Sequence, residues 1–196
     1  MWHRLRDVAE ITTGYPFRGK VYPEEGGDVM VVQIKDIDAE SGLTADRTLQ
    51  LRSEGGKYDR YLLAAGDVLF QSRGSRHPAA LVDTTIRGIA ALGLHVLKPN
   101  RRRIRPEFLV WYLNHPNAQA EIKDIAKGSY VPFVSKAALE ELRLPVPPMQ
   151  TQDTIVAIAD LRRTERQLAL QLEHLRQHLV DGATWQAVAR EKSKGT

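Results

Sequence analysis

The sequence predicts an α+β protein: a mostly antiparallel β domain with packed helices, followed by a long C-terminal coiled-coil helix. Three observations carry this. Between residues 14 and 100, short β-branched and alternating segments are separated by Gly, Pro and Asp turns. At Arg105-Pro106 the apolar period changes to a helical one. From Thr151 to Asp181 no proline or glycine interrupts the chain. With 196 residues, 42% of them apolar, the chain can build one domain with a real core plus an extension. The expected boundaries are 1–148 for the globular domain, 149–182 for the long helix and 183–196 for a tail.

The elements follow in order. Leu5, Val8, Ala9 and Ile11-Thr12 sit near helical spacing, which predicts a short opening helix over 1–13. Gly14-Tyr15-Pro16-Phe17-Arg18-Gly19 breaks it. Val29 to Ile34 is a buried strand by its β-branched content, and Thr48 to Arg52 alternates as a half-buried strand does. Gly66-Asp67 is a turn that launches the strand Val68-Leu69-Phe70. Ala79 to Val82 and Ile89 to Leu97 continue the β pattern. Pro106 suits the first position of a helix and Glu107 its positive end. His115-Pro116 ends that helix. Asn117 is the expected cap of a second helix, closed by Gly128. Ser135 opens a third with a capping-box-like sequence, and Pro145, Pro147 and Pro148 close the domain.

The terminal helix has its own signature. Thirty residues at 1.5 Å rise make a rod of about 45 Å, longer than a small domain is wide. Ile158, Leu161, Leu168, Leu172, Leu175 and Leu179 fall at alternating steps of three and four, with Glu165 interrupting. A seam two positions in seven wide is the coiled-coil pattern, which needs a partner helix. The other reading folds the helix back on its own β domain. Gly182 is the expected stop, with Trp185 and Val188 as an apolar plug and Glu191 to Thr196 as an unstructured end.

Composition excludes several classes. There is no cysteine, hence no disulfide, thiolate metal site or cysteine nucleophile. No apolar run approaches the ~20 residues that span a bilayer. The opening MWHRLRDVAEI has no apolar region of the kind a secretory signal needs, so the expected location is the cytoplasm. Net charge is +4, unevenly spread. Residues 68–106 hold eight basic side chains and a single acid, Asp83. That concentration suggests a local anionic partner, against a merely solvated basic face.

Signatures of catalysis are sparse. There is no phosphate-binding loop, nucleophile elbow or HExxH. His174 and His178 are four apart but lie off the seam with no third ligand nearby, so a solvated or interface face is expected rather than a metal site. Asp28 with Gln33-Ile34-Lys35 is a faint nuclease-like pattern lacking its second acid. Pro147-Pro148-Met149 lacks the flanking residues of an amino-methyltransferase motif. The expectation is a chain without covalent chemistry, cofactor or metal.

Several local patterns then combine. VAEITTGYPF, GDVLFQSRG, PEFLVWYLN, KGSYVPFVSKAALEELRLPVPP and the run from Gln152 through DTIVAIADL occur in this order. Together they resemble the specificity subunit of type I restriction–modification systems, from about Leu5 to Leu179. The resemblance implies target-recognition domains, each followed by a long helix. It also implies duplex DNA as ligand, a methyltransferase subunit as partner and a separate restriction subunit. The usual member has two such units in tandem; this chain carries one, as half-length members do. That implies a homodimer through the C-terminal helix, or pairing with a second specificity chain.

The residues offer contacts for such a role. Arg73, Gly74, Ser75, Arg76 and His77 form a loop leaving the strand Val68 to Gln71. Arginine can bond a guanine edge through two donors, or hold a phosphate. Arg101, Arg102 and Arg103, like Arg105, precede a helix and suit phosphates, which position without specifying. Lys127, Ser129 and Tyr130 form a second loop around Gly128; Tyr130 packs on a sugar or base, or Tyr130 to Phe133 simply close the core. Arg18 is a further contact, while Tyr15 and Phe17 suit an aromatic staple on the first helix. The rival functions are a protein–protein adaptor with a basic patch, a DNA-recognition subunit of a related phage-defence system without restriction, and a nuclease built on Asp28 and Lys35.

Overall fold

The computed structural model describes residues 1–44, 49–53, 55–83, 86–126 and 131–194, with side chains to residue 186. The chain divides into two units, Met1–Val156 and Ala157–Thr196.

The first unit opens on β1 (Trp2–Arg4), a 3-10 turn over Leu5–Asp7 and β2 (Ala9–Thr13). This corrects the opening helix expected over 1–13. Leu5, Val8, Ala9 and Ile11 are all buried, so the apolar positions were right and the period was wrong. The partner that makes β2 a strand lies some ninety residues away, where local spacing cannot register it. The chain continues through β3 (Val29–Val32), β4 (Ile37–Asp38), β5 (Gly42–Leu43), β6 (Leu49–Leu51), β7 (Val68–Gln71), β8 (Ala79–Leu81), β9 (Gly88–Ala90) and β10 (Leu94–Pro99). The run expected from Ile89 to Leu97 is thus two strands. Gly93, at φ +105°, turns the chain between them, a backbone state that suits glycine.

A four-stranded antiparallel sheet has the order β2-β10-β7-β8. Val68 and Phe70 point into one core, Leu69 into another. Both faces are therefore covered, which is why Val68-Leu69-Phe70 is continuously apolar. A second sheet, β6-β3-β9, includes the parallel pair β3 and β9.

Helices α1 (Pro106–Asn114) and α2 (Pro116–Ile125) each begin with proline at the first turn. The cap of α2 is His115, whose Nδ1 accepts from the Asn117 backbone, rather than the expected Asn117. Pro116 already occupies the first helical position, so the cap must precede it. Ser135 caps α3 (Lys136–Glu140) as expected, its Oγ accepting from Ala138 N at 3.1 Å. Then β11 (Arg143–Pro145) pairs with β1.

The long helix α4 is Met149–Lys194, 46 residues and about 70 Å at 1.5 Å per residue. It runs through Gly182 and past the expected stop, and its backbone stays helical to Lys194, where a tail was expected. One glycine in a helix interior costs only about 1 kcal/mol relative to alanine, and no proline follows to enforce a stop. In the second unit, Ile158, Leu161, Leu168, Leu172, Leu175 and Leu179 are exposed, from 49% at Leu172 to 74% at Leu179. Among the described residues, no helix is long and apolar enough to cross a membrane.

Candidate nucleic-acid interface

The loop Ser72 to Pro78 leaves the end of β7 and is held by its neighbours. Ser72 is buried; its backbone N–H and its Oγ both donate to Gly93 O at 2.9 Å. Gly74 N donates to Pro132 O at 3.0 Å, and Val134 N donates to Ser72 O at 2.8 Å. Arg73 and Phe133 thereby face each other as an antiparallel bridge. On the other side, Leu92 N donates to Tyr15 O at 3.0 Å. Four segments, 14–17, 91–93, 72–74 and 132–134, are therefore hydrogen-bonded in series along one end of the sheet. Arg73, Ser75 and Arg76 are exposed on this rim, Gly74 is half-buried, and Arg18 is exposed just beyond Phe17. Phe133 is exposed beside Arg73, and Leu92 is exposed on the neighbouring segment. Arg76 also acts on Asp38. That carboxyl is held below its ordinary range chiefly by the Ser41 and Glu40 backbone N–H groups, with a smaller contribution from Arg76.

His77, grouped with the contact residues on sequence grounds, is fully buried and cannot reach a ligand. Its Nδ1 donates to Gln71 O at 2.9 Å, and its ring lies parallel to Phe70. His95 stacks on Phe70 as well, and its Nε2 donates to Val134 O at 2.9 Å. The two histidines thus support the rim from beneath. His77 Nε2 and His95 Nδ1 have no partner among the described residues. Burial holds both rings below the ordinary value of 6.5; the carbonyl bonds oppose this, and Lys123 near His77 and Lys136 near His95 add to it.

The unfolded chain takes up these protons near pH 6.5 and the folded one resists, so the stabilisation is complete above 6.5 and is lost as pH falls toward the folded values. The melting temperature should drop between pH 7.5 and 5.5. His77→Asn and His95→Gln, which keep donors near Nδ1 and Nε2 respectively, should flatten that drop. An unchanged melting temperature across the window would count against neutral buried rings.

The arginine run after β10 sits elsewhere. Its first residues follow Pro99, which pairs with Ala9, whereas the rim adjoins Leu94, which pairs with Gln71. The six residues of β10 separate the two ends by about 20 Å. Arg101 donates to Ala65 O, and Arg103 donates to Asp7 O and contacts His3 Nδ1. Arg105 makes a two-pronged pair with Asp153, Nε to Oδ1 at 2.7 Å and Nη2 to Oδ2 at 3.2 Å. Arg102 alone of the four keeps its side chain without a partner among the described residues. Arg101, Arg102 and Arg103 all remain exposed, so these bonds engage the guanidiniums without burying them. Most of these guanidiniums hold backbone carbonyls and the start of α4.

Gln152 completes that junction and was missed as a structural residue. It is fully buried; its Oε1 accepts from Arg105 N at 2.8 Å, and its Nε2 donates to Arg103 O at 3.0 Å and Pro147 O at 2.8 Å. A polar residue in the first turn of a helix gave no local sign of burial.

The remaining candidates fall as follows. Tyr15 packs edge-on against Phe17, Tyr58 and Tyr61, an aromatic cluster of the second sheet rather than a helix staple. Lys127, Ser129 and Tyr130 lie outside the described residues. Asp28, the nuclease candidate, accepts from Ser53 N at 2.7 Å and pairs with Arg87 at 3.1 Å. Its carboxyl sits below the usual range, first because of the Ser53 bond. His174 and His178 place their Nε2 atoms 3.0 Å apart on an exposed face. Among the described residues, no three His, Asp or Glu side chains are grouped to hold a metal ion.

This architecture recurs in solved structures. One, from work on complex assembly and conformational transition of a type I R-M system, matches with TM-score 0.60 and 23% identity over 92% of this chain and 44% of its own. The HsdS subunit of Thermoanaerobacter tengcongensis matches equally well, at 0.60 and 23%, over 86% and 43%. The S subunit of a type I system from M. genitalium gives 0.57 and 13%, over 82% and 38%. The fold is therefore that of specificity subunits. At the level of sequence, the type I restriction modification DNA specificity domain matches residues 2–173, and the chain belongs to that family. A type I restriction enzyme MjaX specificity subunit from Methanocaldococcus jannaschii is 30% identical over 163 residues, 79% of this chain and 37% of the relative. The chain spans less than half the length of these relatives.

Proposed function

We propose that the chain recognises a specific duplex DNA sequence for a type I restriction–modification system. It reads one half-site through the rim of Arg18, Arg73 and Arg76 and recruits a methyltransferase subunit, with methyl transfer and cleavage carried out by partner subunits. The observation that carries this reading is the rim itself: exposed arginines on a loop bonded on both sides to rigid neighbours. A guanidinium held at a fixed place suits a base edge, whereas a mobile one suits only a phosphate. The exposed apolar seam of α4 pairs with a second helix of the same kind, from another copy of this chain.

Binding to selected and random duplexes, measured against salt, tests the proposal. Neutralised phosphates give a negative slope of log affinity against log salt. Arg73→Ala should cost about 1–3 kcal/mol on the selected duplex and relax preference at one position. Arg102→Ala, at the other end of β10, should leave the ratio of selected to random affinity unchanged. Equal changes in that ratio from both variants would defeat the assignment of the reading loop. Absence of measurable binding to any duplex at low salt would instead favour an adaptor whose basic patch meets an acidic protein.

A further inference from the structure

Phe133 has no part in the reading proposed above, yet it is placed where that reading is most demanding. The Arg73 guanidinium lies over its ring, Cζ 5.1 Å from the centroid. The two residues bridge as antiparallel partners, so backbone as well as side chain fixes their approach. Below, Phe133 packs on His95 with centroids 6.5 Å apart. His95 lies parallel to Phe70 at 6.4 Å, and Phe70 to His77 at 6.0 Å. A column of rings therefore runs from the buried core up to an exposed cation. Gln71 Nε2 donates to Arg73 O, which holds the arginine backbone as well. Phe133 is also 40% exposed, while its neighbour Val134 points the other way and is wholly buried.

We propose that Phe133 is a specificity-determining residue, which positions the Arg73 guanidinium so that its paired donors meet a guanine edge. This rests on the reading of Arg73 as a base-contacting residue. A cation held over a ring face loses less freedom when it then bonds a base, because its position is already restricted. Remove the face and the same arginine can swing to the nearest phosphate, which carries no sequence information. Affinity for DNA in general survives that change, while discrimination does not.

The test uses the full chain and a duplex selected by it from a randomised pool. Wild type, Arg73→Ala, Phe133→Leu and Phe133→Trp are compared on the selected duplex and on random duplex, with melting temperatures alongside. Phe133→Leu should lower the selected-to-random affinity ratio about three- to tenfold, with random affinity and melting temperature nearly unchanged. Phe133→Trp, which restores an aromatic face, should restore most of the ratio. If Phe133→Leu keeps the wild-type ratio while Arg73→Ala loses it, the ring does not position the arginine and the inference fails alone. If Arg73→Ala also keeps the ratio, the base-contacting role of Arg73 fails and takes the inference with it. If Phe133→Leu loses both affinities and melts lower, or tryptophan fails to rescue, Phe133 serves packing only and the inference is overturned.

Discussion

Replacing Gln152 with leucine should destabilise the first unit by about 3 kcal/mol, although the side chains are similar in size. Leucine leaves Arg105 N, Arg103 O and Pro147 O without the bonds that Gln152 now makes. A buried donor or acceptor left unpaired costs about 1–3 kcal/mol, and water can relieve some of the three. Gln152→Glu should fare no better. One carboxylate oxygen can still accept from Arg105 N, but the other then faces two carbonyl oxygens. The check is urea unfolding of the full chain, where the midpoint should fall with little change in slope. A loss below about 1 kcal/mol would mean that the junction is held by the Arg105–Asp153 pair and apolar packing instead. That pair is exposed on both sides, so solvent screens it and its contribution is small.

The second large effect concerns the seam of α4. The wild-type chain should self-associate, and the double variant Leu172→Glu, Leu175→Glu should be monomeric. Both leucines are exposed in the single chain, and neither has a stabilising role there that the change would disturb. In a paired helix each would insert between four side chains of the partner, and a buried carboxylate would cost several kcal/mol without a cation. Light scattering at roughly tens of micromolar distinguishes the two states. Wild-type monomers would remove the homodimer and leave a second specificity chain as the helix's partner. The consequence for DNA is direct. Two identical chains related by a two-fold axis read the same short sequence on opposite strands, so duplexes selected by the dimer should be interrupted palindromes. A single contiguous asymmetric site would exclude that symmetric arrangement.

Specific local chemistry made parts of this protein legible in its sequence. Pro106 and Ser135 mark where α1 and α3 begin, because a fixed φ and a capping hydroxyl act within one turn. The long helix α4 is likewise a property of one continuous segment, free of proline and broken by no more than Gly182. The ordered motifs identified the family, and the loop after Phe70 presents Arg73 and Arg76 to solvent as expected.

Tertiary structure decided the rest. Residues 2–13 carry a helical apolar spacing but form two strands around a 3-10 turn, because β10 and β11 offer hydrogen-bond partners far along the chain. Arg101, Arg103 and Arg105 look like a phosphate-binding run, yet two hold backbone carbonyls and one holds Asp153. His77 looks like a loop contact, yet folding turns it under Phe70. The physical reason is common to all three. A charge, an imidazole or an apolar spacing states what a residue can do, while its partner is supplied by whichever distant backbone folding brings within about 3 Å.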